Sequence, residues 1–599
     1  MTPAAAAPPR PTGVHLRPTV TLDGRPLSMR LQEALTEVRI STAVRTVGVC
    51  VLRLADPDYE VARTGALVIG RTVTVSGRRD TAQARAAQLF TGDITGVALE
   101  NDGRGRSELL VTVADRAHRL GRASRTTAYL ESSYQDIVGQ ACRRSGLGTG
   151  SLGTGAVRPY VLQAGTDLDL VNELSGRLGH DWVVEGTDLS MWDPQTRLAG
   201  PPAAALTVGT DISELSVRLT SSATEKVTVR GRDPKLAEVV SANRTRTSHA
   251  PAELARLFSS LSLGSVTTLD TASSPISSQE ADELAAAVLS TDGDVVLRGR
   301  LRFEPDLRPG RTVAITGAGP SDGTYYVREV VHTFTESEAR TQVVAGDNPR
   351  TSLRDALGGR GRAPSGFTHD GLVIGTVSDV DDTENLGRVK VTFQILSSEV
   401  TSDWARVASV GAGAGRGMLS LPEIGDEVLL GFEGADVRRP VVLSGLYGPK
   451  SPPPGATEAQ QKGSVLNRAI TSRLGHVVEL GDGTAAADQH VLLALAGRTH
   501  RLRLGKDRAE MTVPDGVPLT ITSGASTISI DASGAVSITG TTVTVAADSK
   551  LSLKAAEIEI AASAKVSVSG QVAELVGQAT ATVKASGTTS VSGGLVMIN

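Results

Sequence analysis

At 599 residues the chain is too long for a single hydrophobic core, and several domains are expected. A net charge of −4 excludes the basic footprint of a nucleic-acid binder, and aromatic residues at 3% exclude large globular cores in favour of thin β-rich modules. Cys50 and Cys142 are the only cysteines, which excludes a disulfide framework or a cysteine metal spacing and leaves two buried thiols.

Residues 1–13 are Ala- and Pro-rich without an apolar signal core, and read as a disordered arm on a protein made in the cytoplasm. No segment reaches the ~18 consecutive apolar residues that span a bilayer, so no stable membrane anchoring is expected. Residues 14–115 are β-rich, with short β-branched runs at 47–54, 66–75 and 109–113. The character changes over 116–205. Ile137, Val138, Ala141 and Cys142 recur at helical spacing within 133–145. Leu170, Val171, Leu174 and Leu178 do so within 167–178, where Gly179 stops the helix. Residues 182–184 follow as a strand, giving an α/β insertion between two β-barrels, 14–115 and 206–352. In the second barrel 226–229 is a strand, Gly231-Arg232-Asp233-Pro234 a turn, and Ser277 with Glu280 the capping box of a helix. Residues 312–315 and 323–332 are further strands. His332 has no nucleophile or acidic orienter in its sequence context and reads as structural.

A Gly/Arg/Ala/Pro linker at 353–367 leads into a compact unit, 368–448. Its short strands (372–377, 388–393, 404–408, 417–420, 427–432 and 440–445) and tight turns fit a small closed barrel of the OB type. A Pro/Gly linker at 449–466 and a neck at 467–526 precede the most regular stretch. Over 527–599 apolar β-formers come in pairs two apart: Ile528/Ile530, Val536/Ile538, Val543/Val545, Leu551/Leu553, Ile558/Ile560 and Val566/Val568. The first members are spaced 8, 7, 8, 7 and 8 residues. Each pair is one short strand with one inward face, and the fixed period is that of a β-helix. Two apolar side chains per strand and no aromatic residue make a seam too thin for one chain to shield. Three chains wound around each other need no more, so these twelve residues are the expected core of a homotrimeric stem.

The barrel segment carries ordered motifs. Gly387-Arg388-Val389-Lys390-Val391 is followed by Trp404-Ala405-Arg406-Val407, then by Leu421-Pro422-Glu423-Ile424-Gly425-Asp426-Glu427-Val428, then by Arg439-Pro440-Val441-Val442. In order and spacing this resembles the barrel domain of VgrG-type spike proteins of type VI secretion, extracellular contractile injection systems and contractile phage tails. Trp404, Arg406, Pro422, Gly425, Asp426, Glu427, Arg439 and Pro440 carry the likeness. Ser472-Arg473-Leu474-Gly475-His476 resembles the stretch that follows the barrel in that family. The 167–178 helix and the 323–332 run resemble its hub, and residues 593–599 the end of its stem.

The resemblance implies a mainly β, multidomain fold: an N-terminal hub of two β-barrels with an α/β insertion, an OB-fold barrel, and a C-terminal intertwined trimeric β-helix. It implies mechanical work without enzyme chemistry, cofactor or metal. Three copies would present a pseudo-sixfold face to inner-tube and baseplate proteins, and sheath contraction would drive the needle through a target envelope, with effector cargo as a passenger. The particle would act outside the cell that makes it or inside the target; which injection machine it belongs to is left open. At the blunt end Leu595, Val596, Met597, Ile598 and Asn599 leave strand edges and apolar side chains open, and a PAAR-type tip protein is expected there. The 449–466 gap leaves no room for a lysozyme domain, no effector is expected after Asn599, and residues 531–599 hold no histidine for an iron tip. A tailspike enzyme acting on surface polysaccharide would need a carboxylate pair in a groove, whereas Asp531, Asp548, Glu557, Glu559 and Glu574 are scattered along the stem. A fibrous adhesin would need a receptor-binding head.

Overall fold

The computed structural model describes residues 17–79, 85–101, 103, 107–220, 223–233, 236, 238–258, 266–271, 275–290, 293–347, 371–393, 400–455, 460–461 and 463–598. The expected N-terminal arm and the 353–367 linker lie outside the described residues. With 43% strand and 15% helix the protein is mainly β. It divides into two compact units, Met1–Pro452 and Pro453–Asn599.

In the first unit one antiparallel path of strands runs through Ile212–Leu219, Val295–Arg302, Ala339–Gly346, Gly323–Thr335, Leu35–Ala43, Val49–Ala55, Ser107–Ala114, Ala87–Asn101, Thr72–Gly77 and Thr19–Leu22. The strands read as two barrels are therefore joined edge to edge, through Val330 opposite Thr42 and His332 opposite Ile40. Strand alternation explains which side is covered. Cys50, Leu52 and Leu54 sit two apart and are all fully buried. Two cores lie beneath the sheet, one around Ile40, Leu52, Val73 and Val111, the other around Leu297, Val313, Tyr325 and Val343. The run read as a strand from 66 starts only at Thr72, because Gly70, at φ +95°, turns the chain and donates its N–H to the Ile94 carbonyl.

The insertion is built on two capped helices. Ser133 and Asp136 form a capping box on Tyr134–Arg144, Thr166 and Asp169 one on Asp167–Leu178, and Gly179 at φ +69° ends the second. Both helices pack on fully buried Trp182, with Cys142 in the same core. The expected turn at Gly231 is corrected: the strand Lys226–Asp233 continues through it, with Gly231 opposite Val240. Its glycine serves close approach instead, since a Cβ there would stand 2.2 Å from the Pro275 carbonyl oxygen.

The 368–448 segment folds as five strands in the order Lys390–Thr392, Val373–Asp379, Glu427–Phe432, Pro440–Gly445, Arg406–Val407, and a bridge between Val389 and Ala405 brings the two edges together. The strand expected at 417–420 shrinks to Arg416–Gly417, paired with Ala412–Gly413. The core of this barrel is not its own alone. Tyr160 and Leu162, from the insertion strand Val157–Thr166, are buried among Val377, Val391, Phe393 and Val428.

In the second unit, Asn467–Thr471, Val477–Asp482, Gln489–Ala494, Arg501–Gly505 and Ala509–Thr512 form a five-stranded antiparallel meander. Leu519–Ser523, Ser526–Ile530 and Val536–Thr539 form a three-stranded sheet. The first two apolar pairs of the tail, Ile528/Ile530 and Val536/Ile538, lie in that sheet. The other four pairs, Val543/Val545, Leu551/Leu553, Ile558/Ile560 and Val566/Val568, expected as strands of a three-chain stem, show no strand in the single chain. Among the described residues, those from 540 onward form no strand ladder within the chain, so these pairs find no hydrogen-bonding neighbour there.

Candidate functional site

Charged side chains are buried where the lobes of the first unit meet. Glu280 is 2% exposed and accepts from Arg177 at 2.6 Å and Arg438 at 2.7 Å. Its other oxygen takes the Ile276 N–H at 3.0 Å, and Arg438 also holds Asp436 at 2.6 Å. Burial alone would raise the Glu280 carboxyl, but the two guanidiniums and the amide hold it at about 2. The capping pattern does locate Glu280, whose N–H reaches Ser277 Oγ at 3.1 Å. What sequence alone did not show is that its carboxylate joins the insertion helix, its own helix and the barrel turn carrying Asp436 and Arg438. A second buried acid, Asp181, contacts Arg45 at 2.9 Å and the Tyr326 hydroxyl at 2.9 Å, tying the insertion to the large sheet.

A third cluster borders a cavity of about 230 Å³ lined in part by Tyr325 and Arg328. Asp294 accepts from Ser248 at 2.7 Å and Arg246 at 3.0 Å. Asp347 takes the amides of Asp294 and Val295 and lies 3.4 Å from His249 Nδ1. Burial raises Asp294; Asp347 feels the same burial but is held low by His249 and the Val295 amide. His249 Nε2 is committed to Gln195 at 2.8 Å and Ser248 to an acid, so no nucleophile and base are aligned here. His332 is 1% exposed, with Nδ1 2.9 Å from Thr341 Oγ1 and its ring edge-on to Phe303; burial and nearby Arg308 push it down to about 3. Among the described residues no group of three or more His, Cys, Asp or Glu is placed to hold a metal ion. No helix there is long and apolar enough to cross a membrane.

The barrel motif residues fall into three places. Half-buried Trp404 has Lys390 Nζ 4.7 Å and the Arg388 guanidinium 5.7 Å from its ring centre, and Arg406 pairs with Glu433 at 2.8 Å on the surface. Pro422 leads into the turn through Gly425 and Asp426. Gly425, at φ +94°, donates to the Val377 carbonyl, the Asp426 carboxylate caps the Glu423 N–H at 2.8 Å, and Glu427 opens the next strand. Arg439 and Pro440 sit at the seam with the strand Lys226–Asp233, where Arg439 donates to the carbonyls of Arg232 and Pro275.

In the second unit the burial pattern is inverted. Cross-strand partners put Ile470, Val478, Leu493, Leu502 and Met511 in one column and Leu480, Val491 and Leu504 in the next, all on one face of the meander and all 40–60% exposed. The reverse face carries Glu479, 5% exposed, between His490 at 2.9 Å and Arg498 at 2.7 Å. The three-stranded sheet repeats this: Ile521, Ile528 and Ile538 align on one face, with Thr522, Thr527 and Thr539 on the other.

The residues read as the core of a three-chain stem are exposed in the single chain. Ile528, Ile530, Val536, Ile538, Val543, Val545, Leu551, Leu553, Ile558, Ile560, Val566 and Val568 are all exposed, from 38% at Ile530 to 81% at Val568. The physical reason is the thin seam itself: two apolar side chains per strand leave a single chain nothing to fold over them. Leu595, Val596, Met597 and Ile598 are exposed as well, while Asn599 lies outside the described residues. The Ser472–His476 motif is a tight turn at the edge of the meander: Gly475 donates to the Ser472 carbonyl and His476 Nδ1 accepts the Ala496 N–H at 3.0 Å.

Two protein families match. The type VI secretion system/phage-baseplate injector OB domain fits residues 373–447, and the Alg8 N-terminal domain fits residues 14–336, more than half of the chain. The spike protein VgrG3 of the Vibrio cholerae type VI secretion system is 31% identical over 132 residues, 21% of this chain and 13% of that protein. The spike protein VgrG1a of Pseudomonas aeruginosa is 33% identical over 100 residues, 15% of this chain and 16% of that protein. The chain thus matches less than a fifth of the length of either relative. A solved chain of the Francisella PdpA–VgrG complex superposes on 87% of this chain and 79% of its own length, at 9% identity and a TM-score of 0.46. With one family model spanning more than half of its length and the injector OB domain falling where the barrel motifs lie, the chain belongs to the Alg8 N-terminal domain family and, through its OB domain, resembles VgrG-type spike proteins.

Proposed function

We propose that three copies of this chain form the central hub and spike of a contractile injection system, and that the work they do is mechanical. The observation that carries this reading is the tail: its apolar pairs are exposed and, from 540 onward, have no ladder partner within the chain. Exposed apolar stripes and unpaired strand edges are tolerated only when something covers them. Two sister copies supply both the missing ladders and the missing cover, with Ile528 to Val568 turned to the common axis as an intertwined β-helix. In the same reading residues 14–352 form a hub of two β-barrels with the 116–205 insertion between them. Six such barrels per trimer would seat an inner tube and baseplate proteins, and the 368–448 barrel would collar the shaft. Leu595 to Asn599 would receive a PAAR-type tip protein, and effector cargo would travel with the spike. No residue of this chain is assigned a catalytic role. The particle is assembled in the cytoplasm and acts outside it or in the target cell.

Light scattering on the purified full-length protein tests this directly. The expected mass is three times the 62.0 kDa of one chain. A folded species of one chain mass would end the reading, and turnover of capsule or peptidoglycan by the trimer would end its non-enzymatic part.

A further inference from the structure

We propose that the five-stranded meander between Asn467 and Thr512 is a registration surface: the face on which three copies first meet, and which fixes the axial alignment of the repetitive tail. This rests on the trimer reading above and adds a specific role to a part of the chain that reading treats only as a neck.

The tail cannot set its own alignment. Its pairs recur at 8, 7, 8, 7 and 8 residues, so sliding one copy by two strands lays Val536 beside Leu551 and Leu551 beside Val566. Apolar meets apolar at every layer after such a slip, and short strands with small polar flanks specify register weakly. The tail also cannot order first, because beyond residue 539 it makes no ladder within one chain.

The meander lacks both defects. All four of its ladders close within one chain, from Ile470 opposite Val478 to Leu502 opposite Met511. It can therefore fold before any copy meets another. Its polar side is already occupied by its own residues, with Glu479 held by His490 and Arg498 and Leu492 3% exposed beside them. What remains bare is the side with Val478, Leu480, Val491, Leu493, Leu502 and Leu504. The face is short, with columns of five and three apolar side chains, so a copy displaced by one strand along them leaves side chains at the edge without a partner. A patch of this size needs cover. The occupant is a second and third copy of the same face, because the next sheet along the chain bares a like column, Ile521, Ile528 and Ile538, two of whose members the trimer reading turns to the common axis.

The test uses full-length chains with thiol reporters in the tail, since Cys50 and Cys142 are buried and do not compete. Chains carrying Leu551→Cys and chains carrying Val566→Cys, differently tagged, are co-expressed and oxidised. With the natural meander, only same-position cross-links are expected. With Leu480→Thr and Leu493→Thr, which keep β-propensity and alter side chains that are exposed in the single chain, trimer yield falls or 551-to-566 cross-links appear. The harsher Leu493→Asp abolishes trimers while circular dichroism of the first unit is retained. In-register trimers at the natural yield from the double Thr chain would overturn the registration role alone. A monomeric unaltered chain would instead overturn the trimer reading beneath it.

Discussion

The two units of this chain solve the same problem in opposite ways. In Met1–Pro452 the large apolar cores are covered by the chain itself, and even charges are drawn inside, where Glu280, Asp181 and Asp436 each meet an arginine or tyrosine partner. In Pro453–Asn599 most large apolar side chains line exposed sheet faces, while the carboxylate of Glu479 is buried. A region that pairs its buried charges gathers its cores within one chain. A region that buries a charge and bares its leucines leaves apolar burial, the main favourable term in folding, uncollected in the single chain.

That contrast is most sharply broken by one charge in the tail. Val543→Asp or Ile558→Asp would place three unpaired carboxylates around a common axis, a cost far above the few kcal/mol by which proteins are stable. The expected outcome is complete loss of the trimer in light scattering, with the thermal transition of the first unit unmoved. Retention of the trimer would mean that these residues do not face one another.

The converse experiment loads the first unit. Glu280→Gln leaves Arg177 and Arg438 with one carboxylate, Asp436, between them, and should cost about 3–5 kcal/mol, read as a lowered Tm with unchanged oligomeric mass. Adding Arg438→Met should recover part of that loss, since replacing a buried pair costs less than breaking one.

Acid should act on the same place. The Glu280 carboxyl titrates at about 2 in the folded chain and at about 4.3 in an unfolded one. Its contribution is therefore complete above the higher value and is lost as pH falls toward the lower. The first unit should lose about 3 kcal/mol between roughly pH 4 and pH 2, and Glu280→Gln should flatten that slope in pH-dependent denaturant melts. The smallest effect belongs to the barrel surface. Arg406→Ala removes an exposed pair with Glu433 and should shift stability by about 0–1 kcal/mol, despite the place of Arg406 in the family motif.

Local chemistry was the most readable part of the sequence. The helix over Asp167–Leu178, its stop at Gly179 and the cap at Ser277 follow from side-chain periodicity and hydrogen bonds a few residues apart, and the structure has them where they were read. Glu280 shows the limit. Its capping role is local and visible, but its pairing with Arg177 and Arg438 depends on residues 103 and 158 positions away. Gly231 was read as a turn because Gly-x-Asp-Pro is turn chemistry; contact with Pro275 across the fold gave it a different duty. The pairing of Leu35–Ala43 with Gly323–Thr335, which merges the strands of two expected barrels into one sheet, is likewise beyond any local pattern. For the tail, periodicity marked the apolar pairs, yet Val545, Leu553 and Ile560 stand as exposed as their neighbours. A single chain holds no second layer to cover them, and no intrachain ladder could display their partners.

The way Tyr160 and Leu162 enter the barrel core has a bearing on building chimeras. A cut made at residue 368, where the barrel begins in sequence, would strip two large side chains from its interior and open a void. Any transplant of the barrel onto another scaffold would have to bring along the antiparallel strand pair Ser124–Ser133 and Val157–Thr166, or fill the gap with larger residues. Recombination between relatives should for the same reason preserve insertion and barrel as one inherited block.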